Sequence, residues 1–166
     1  MLIDREVLRE AKRKKRFLSM GWIDYRKAYD MLPHSWILKT LGMIKVAKNI
    51  EGLLVRSMAD WKTVLTANGK SLGEVDIRRG IFQGDTLSPL LFVVVMIPLT
   101  LLLRKEKMGY QFGEAKQKIN HLLFMDDLKL FGGNLQEIEK LCDVVHNFSR
   151  DIGMEFGMKK CAVLVF

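Results

Sequence analysis

The feature that most constrains this chain is an almost uninterrupted apolar run at residues 90–103, LLFVVVMIPLTLLL. A membrane-spanning helix needs roughly 18 to 20 apolar residues, whereas this run is shorter and contains Pro98. We therefore interpret it as a helix buried in a protein core. A chain of 166 residues is long enough to build one domain with a substantial core around it.

Composition narrows the functional classes. Hydrophobic residues make up 49% and charged residues 28% of the chain, which excludes collagen-like and intrinsically disordered proteins. The net charge of +8 favours a polyanionic partner, either nucleic acid or an anionic membrane surface. Two cysteines without metal-ligand spacing, and a charged N-terminus without a secretory signal, fit a reducing intracellular compartment.

Apolar periodicity predicts helices and strands in mixed order. Helices are predicted at 3–16, after Pro33, from Ala47, at 90–103 and at 138–152. Strands are predicted at 17–24, 64–67, 75–77, 119–124, 128–131 and 161–166. Asn68-Gly69 predicts a two-residue hairpin turn, and Asn134 with Glu137 has capping-box spacing at a helix start.

This order of elements favours an α+β domain in which an antiparallel sheet carries helices on one face. A split βαβ arrangement is the natural candidate, and the whole of residues 1–166 is expected to form a single domain.

Two acidic sites stand where a core pattern would not place them. Asp24 ends a predicted apolar strand, and Asp126-Asp127 forms the tip of a predicted apolar hairpin. If those strands are neighbours in one sheet, the carboxylates converge and can hold Mg²⁺, which prefers oxygen ligands. Two such ions about 3.5 to 4 Å apart can activate an attacking hydroxyl and stabilise a leaving pyrophosphate. Taken alone, an Asp-Asp pair is usually only a turn.

Four segments, in this order, resemble the motifs of non-long-terminal-repeat (LINE-type) retrotransposon reverse transcriptases. They are residues 24–30 (DYRKAYD) with Pro33-His34 and Trp36, 78–92 (RRGIFQGDTLSPLLF), 124–127 (FMDD), and 153–156 (GMEF) running to Lys159-Lys160-Cys161. The resemblance covers nearly the whole chain, and a chance acidic turn explains none of the other three segments.

The resemblance implies a polymerase palm that carries RNA-directed DNA polymerase activity. Asp24 and Asp126 would bind two Mg²⁺ ions, for which Mn²⁺ is a possible substitute. Asp127 would lie beside them and the Tyr25 carbonyl would help. Lys160 would act as general acid toward the leaving pyrophosphate. The implied partners are an RNA template, a DNA primer and a deoxynucleoside triphosphate, with no membrane.

The resemblance also implies residues that contact the nucleotide and the nucleic acid. Nucleotide-binding positions are Lys27, Ala28, Tyr29 and Gln83, with the Tyr29 ring as a steric gate against the ribose 2′-hydroxyl. Nucleic-acid contacts are implied at Arg78, Arg79 and Met125. Each position has a simpler reading: Tyr29 as a core ring, Gln83 as a loop amide, and Lys160 as a surface cation.

The chain departs from the family pattern at three motif positions. Tyr29 replaces the more usual Phe, Met125 replaces a common Ala, and Gly157 stands where many relatives have Asn. None of these departures removes a predicted metal ligand.

The chain is expected to hold only part of a reverse transcriptase domain: the end of the fingers plus the palm, without the N-terminal fingers and the C-terminal thumb. Two alternatives stay open, a non-catalytic basic nucleic-acid-binding module and a decayed fragment.

Overall fold

A computed structural model describes residues 2–114 and 118–166. The chain divides into two compact units. The first contains the described residues of Met1–Arg26 and Met96–Phe166, and the second is Lys27–Val95.

Helices and strands follow one another in mixed order, as the sequence predicts, but residues 28–31 and 110–111 form elements that were not predicted, and the strand predicted at 119–124 is divided at Asn120. The elements are α1 (Leu2–Lys14), β1 (Ser19–Ile23), α2 (Ala28–Met31), α3 (His34–Met43), α4 (Lys48–Ala59), β2 (Lys62–Ala67), β3 (Lys70–Asp76), α5 (Ser88–Val95), α6 (Ile97–Lys105), β4 (Tyr110–Gln111), β5 (Lys118–Ile119), β6 (His121–Phe124), β7 (Asp127–Gly132), α7 (Leu135–Asp151) and β8 (Ala162–Val165).

A four-stranded sheet organises the first unit, with the strand order β6-β7-β1-β8. Every neighbouring pair is antiparallel. As a result β1 runs parallel to β6 with β7 between them, and β7 runs parallel to β8 with β1 between them. These are two interleaved split βαβ units, so the predicted antiparallel α+β fold is confirmed.

Helix α7 covers one face of this sheet. An added Cβ on Gly21 of β1 would lie 3.6 Å from the Ile138 side chain, so helix and strand pack closely there. The Ser19 hydroxyl donates to the Asn134 carbonyl at 2.7 Å. Asn134 caps the helix by accepting from the Glu137 N–H at 2.8 Å, and the predicted capping residue is thereby confirmed.

Helix α1 covers the opposite face, which the expectation of helices on one face does not include. Met20 and Phe131 are paired across β1 and β7 and share a buried cluster with Val7 and Ala11 of α1. The cause lies in β1, whose sequence SMGWI places Ser19 and Gly21 on the α7 face and the large Met20 and Trp22 on the other. Both faces of the strand therefore need cover.

The second unit contains the predicted hairpin, β2 with β3. Asn68 (φ 50°) and Gly69 (φ 72°) both adopt positive φ, as a type I′ turn requires, and the predicted turn is confirmed. Every residue of both strands is exposed, although the alternating pattern is typical of a half-buried strand.

The long apolar run forms two helices, α5 and α6, in place of the single helix predicted. The break falls at Met96, because Pro98 has no N–H to donate to the residue 94 carbonyl and its ring crowds that carbonyl. Ser88–Lys105 is long and apolar enough to cross a membrane by length and composition alone, a test that a core helix also passes. Phe92, Leu99 and Leu103 are fully buried, as the predicted core role requires, but Leu90, Val93, Leu101 and Leu102 are exposed, so only part of the run belongs to the core.

Apolar side chains are exposed at the edge strand β8. Val163 is 55% exposed and Val165 43% exposed, and Phe166 just beyond the strand is 43% exposed. An edge strand with apolar side chains is prone to pairing with other chains.

Candidate active site

The β1–β7 register brings the predicted carboxylates to one edge of the sheet. Ile23 is paired with Leu128, so Asp24 follows the last pair on one strand and Asp127 precedes it on the other. Asp126 adjoins Asp127 in the β6–β7 turn. The Asp24 and Asp126 side chains are half-buried, and Asp127 is exposed. The convergence predicted from the sequence is present at the level of strand register.

The β6–β7 turn, which carries Asp126, is strained. Phe124 pairs with Asp127, which leaves Met125 and Asp126 as the two central residues of the turn. Met125 has φ 54°, a left-handed conformation that favours glycine, at a cost of about 1 to 3 kcal/mol for other residues. Strain of this kind is concentrated at functional sites.

Asp24 is held by the segment that precedes β8. The Lys160 Nζ lies 3.5 Å from its Oδ2 atom, with 74% of the lysine side chain exposed. The Gly157 N–H donates to the Asp24 carbonyl at 2.8 Å. A Cβ on Gly157 would lie 2.7 Å from Asp24 Oδ1, so any side chain at position 157 requires the carboxylate to shift.

The Tyr25 side chain anchors the residues that follow β1 to α7. Its ring is 4% exposed, and its hydroxyl lies 2.9 Å from Ser149 Oγ. Ser149 donates its own proton to the Val145 carbonyl at 2.6 Å, so Tyr25 must be the donor to Ser149. Burial raises the pKa of Tyr25 to about 12. Sequence reasoning missed Ser149, although a serine within the apolar stripe of α7 is a detectable signal.

The backbone around Tyr25 shows which way its carbonyl points. The Arg26 N–H donates to the Glu155 carbonyl at 2.9 Å, and the Asp24 carbonyl accepts from Gly157, so both groups point toward the 155–157 segment. Polar groups alternate in direction along an extended strand. The Tyr25 carbonyl therefore points to the other side, the side of β7.

The donor set suits a hard cation that keeps other ligands. Within residues 2–114 and 118–166, no three His, Cys, Asp or Glu side chains lie close enough to form a metal site by themselves. In the same residues the Asp126 and Asp127 side chains have no hydrogen bond or ion pair. Mg²⁺ commonly takes one or two carboxylates and completes its shell with water and substrate phosphates. The carboxylates of this edge fit that requirement.

The predicted nucleotide-binding residues lie in the second unit. The Tyr29 ring, half-buried, stacks on Phe92 with centroids 5.2 Å apart and planes 3° from parallel. The Ile81 N–H donates to the Tyr29 carbonyl at 2.9 Å, which fixes the loop carrying the exposed Gln83 beside the Tyr29 segment. Lys27, with φ 46°, precedes α2, and Ala28 is buried.

Gly80 makes the close approach of that loop possible. Its φ is 92°, and an added Cβ would lie 2.9 Å from the Asp30 carbonyl oxygen. The Gly80 N–H donates to the Leu32 carbonyl at 2.7 Å, and His34 Nε2 donates to the Gly80 carbonyl at 2.8 Å. The neighbouring Arg79 donates from Nε to the Met31 carbonyl at 2.6 Å. The exposed Arg78 lies 3.7 Å from Asp76.

The substitution Gly80→Ala is expected to lower the free energy of unfolding by at least about 2 kcal/mol, because both the backbone angle and the Asp30 carbonyl oppose a Cβ. Urea denaturation measures the change. Gly42→Ala, in α3 with no atom within 4 Å of the new Cβ, is the control and should stabilise by up to about 1 kcal/mol. Equal stabilities of the two variants would show that the loop does not need this conformation.

A split βαβ antiparallel sheet with carboxylates at the ends of its two central strands defines a polymerase palm. Residues 2–165 match the family described as reverse transcriptase (RNA-dependent DNA polymerase). The chain therefore belongs to the reverse transcriptase family.

Relatives of this chain include retrotransposon polyproteins of which it spans less than a quarter. It is 32% identical over 162 residues to a retrovirus-related Pol polyprotein from the type-1 retrotransposable element R2 of Popillia japonica, covering 96% of this chain and 22% of the relative. It is also 32% identical over 155 residues to the retrovirus-related Pol polyprotein from the type-2 retrotransposable element R2DM of Drosophila melanogaster. This match covers 93% of this chain and 14% of the relative. The fold is similar to apo telomerase from Candida tropicalis (TM-score 0.72, 18% identity, 99% of this chain and 34% of that chain).

Proposed function

We propose that this chain is the palm of a retrotransposon RNA-directed DNA polymerase and joins a deoxynucleoside triphosphate to a primer 3′-hydroxyl. The observation that carries the proposal is the register of β1 with β7, which brings Asp24 and Asp126-Asp127 to one sheet edge. Those residues end the two central strands, so the rigid part of the sheet sets their spacing.

Asp24 and Asp126 would hold the divalent ions, with Asp127 beside them and the Tyr25 carbonyl on the same side. Bound there, the ions would supply charge stabilisation for the attacking hydroxyl and the leaving pyrophosphate. The strained Met125 turn keeps the Asp126 carboxylate at the tip of the hairpin, where it is only half-buried.

Lys160 would neutralise or protonate the leaving pyrophosphate. Its ammonium group lies 3.5 Å from Asp24 and most of its side chain is exposed, so it can leave the carboxylate for a phosphate oxygen. A lysine ammonium has three rotatable donors on a flexible stem and suits this exchange.

Nucleotide selection would fall to the second unit. The backbone at Lys27 and Ala28 would face the triphosphate, and Gln83 would lie over the sugar and the templating pair. The Tyr29 ring, held flat against Phe92, would crowd a ribose 2′-hydroxyl. Arg78, Arg79 and Met125 would contact the nucleic-acid strands.

A second candidate, a basic module that binds nucleic acid without catalysis, is favoured by the net charge of +8. Its affinity would come from contacts of lysine and arginine with phosphates and would fall steeply with salt. Both candidates predict binding, and only the first predicts extension of a primer.

Primer extension on an RNA template with deoxynucleoside triphosphates and Mg²⁺ separates the two. We expect extension by the complete polyprotein that contains this segment and little or none by residues 1–166 alone. Alignment of template, primer and triphosphate supplies about 7 to 11 kcal/mol of the barrier reduction, and the segments that the relatives have in addition would provide much of it. A complete polyprotein that binds the primed template but extends it with neither Mg²⁺ nor Mn²⁺ would favour the binding module.

A further inference from the structure

A concave site lies in the first unit, beside the edge strand β6. It is a cavity of about 880 Å³, within the range of pockets that enclose small ligands. Its charged lining consists of three cations and one carboxylate, with a histidine beside them: Arg104, Lys107, Lys118, Glu106 and His121. An excess of cations in a concave site selects an anionic ligand.

The histidine of this cavity is fixed by a buried amide. Asn120 is 8% exposed, and its Nδ2 donates to the Leu103 carbonyl of α6 at 2.6 Å. The amide oxygen of Asn120 therefore faces His121, where it lies 2.8 Å from Nδ1. Because that oxygen can only accept, the histidine proton is on Nδ1, and Nε2 is left to contact a ligand. The same amide ties the end of α6, with Arg104, to the start of β6.

Among the residues that the structure describes, the cations of the cavity are only partly paired with carboxylates. In residues 2–114 and 118–166, neither Arg104 nor Lys107 has an ion-pair partner, whereas Lys118 lies 3.1 Å from Glu137. Burial, and secondarily the charge of Arg104, lowers the pKa of His121. A bound anion would offset the repulsion among these groups and would favour the protonated imidazole, whose Nε2–H could then donate.

We propose that this cavity binds backbone phosphates of a nucleic-acid strand. The cavity is separate from the end of the sheet that carries Asp24, Asp126 and Asp127. The cavity chemistry specifies an anion, and its identity as the phosphate of a nucleic-acid strand rests on the proposed function. His121 is the first residue of β6 and Phe124 the last, about 10 Å farther along the strand, and the aspartates follow Phe124. Contacts to phosphate position a strand and carry no base sequence, so this site would hold a strand whatever its sequence.

The test is binding of a fluorescein-labelled single-stranded RNA to residues 1–166, measured by anisotropy without divalent ions or triphosphates. We expect the double variant Arg104→Gln, Lys107→Gln to raise Kd about tenfold at low salt. It should also reduce the slope of log Kd against log salt by about 1.4, because two contacts with phosphate are lost. The matched control Lys105→Gln, Lys140→Gln removes the same charge from exposed residues outside the cavity and should change Kd less than twofold.

A second measurement follows the His121 ring by NMR. RNA should raise the pKa of His121 in the wild-type chain and leave it unchanged in the cavity double variant. Equal Kd changes in the two double variants, or an inorganic phosphate site at His121 with which RNA does not compete, would overturn the proposal. No step of the assay is polymerisation, so these results stand whether or not primer extension is ever observed.

Discussion

The substitution Asp126→Asn is expected to lower the rate of primer extension by the complete polyprotein at least about a thousandfold. The amide has the shape of the carboxylate but no charge, and the stabilisation attributed to metal ions in such sites amounts to several kcal/mol. Asp126 is half-buried at a turn, and its side chain has no hydrogen bond or ion pair within residues 2–114 and 118–166. The fold should therefore keep its stability while the chemistry is lost.

The matched control for this substitution is Asp143→Asn, on the exposed side of α7. It removes the same charge and should extend the primer at the wild-type rate. Thermal unfolding of both variants should agree with the wild type within about 0.5 kcal/mol, as for surface substitutions generally. An Asp126→Asn variant that extends normally would show that the assigned edge is not the site of catalysis.

Local sequence signals predicted those parts of the fold that local chemistry determines. Asn68-Gly69 specifies its turn because both residues tolerate positive φ, and Asn134 specifies a helix start because its side chain satisfies a free N–H. The sequence also predicted that Asp24 and Asp126 converge, although this convergence depends on strands far apart in sequence. There the motif order supplied the long-range information that periodicity lacks.

Other features depend on contacts that a local pattern does not contain. The alternation of β2 and β3 is typical of a half-buried sheet, yet both strands are exposed on every residue, since alternation does not state what covers a face. The contact between Gly157 and Asp24 was likewise unpredictable, because it requires the exact position of the segment before β8. The cavity beside β6 combines residues from α6, β5 and β6 that no single motif contains.

The substitution Tyr29→Ala is expected to raise the efficiency of ribonucleotide incorporation, relative to deoxyribonucleotide incorporation, by about tenfold or more. The Tyr29 ring lies parallel to Phe92 at 5.2 Å, and this stacking restricts the directions in which it can yield to a larger sugar. Alanine removes the ring and opens space for the 2′-hydroxyl. Single-nucleotide insertion kinetics with matched ribo- and deoxyribonucleotides measure the ratio.

The ratio is the informative quantity because loss of the stacked ring also destabilises the second unit. A smaller active fraction lowers both incorporation rates by the same factor and leaves their ratio unchanged. Tyr29→Phe is the control, since it keeps the ring and its stacking on Phe92 and should keep the wild-type ratio. If alanine and phenylalanine gave the same ratio, Tyr29 would be a packing residue of the second unit, and the discrimination between sugars would have to come from other contacts.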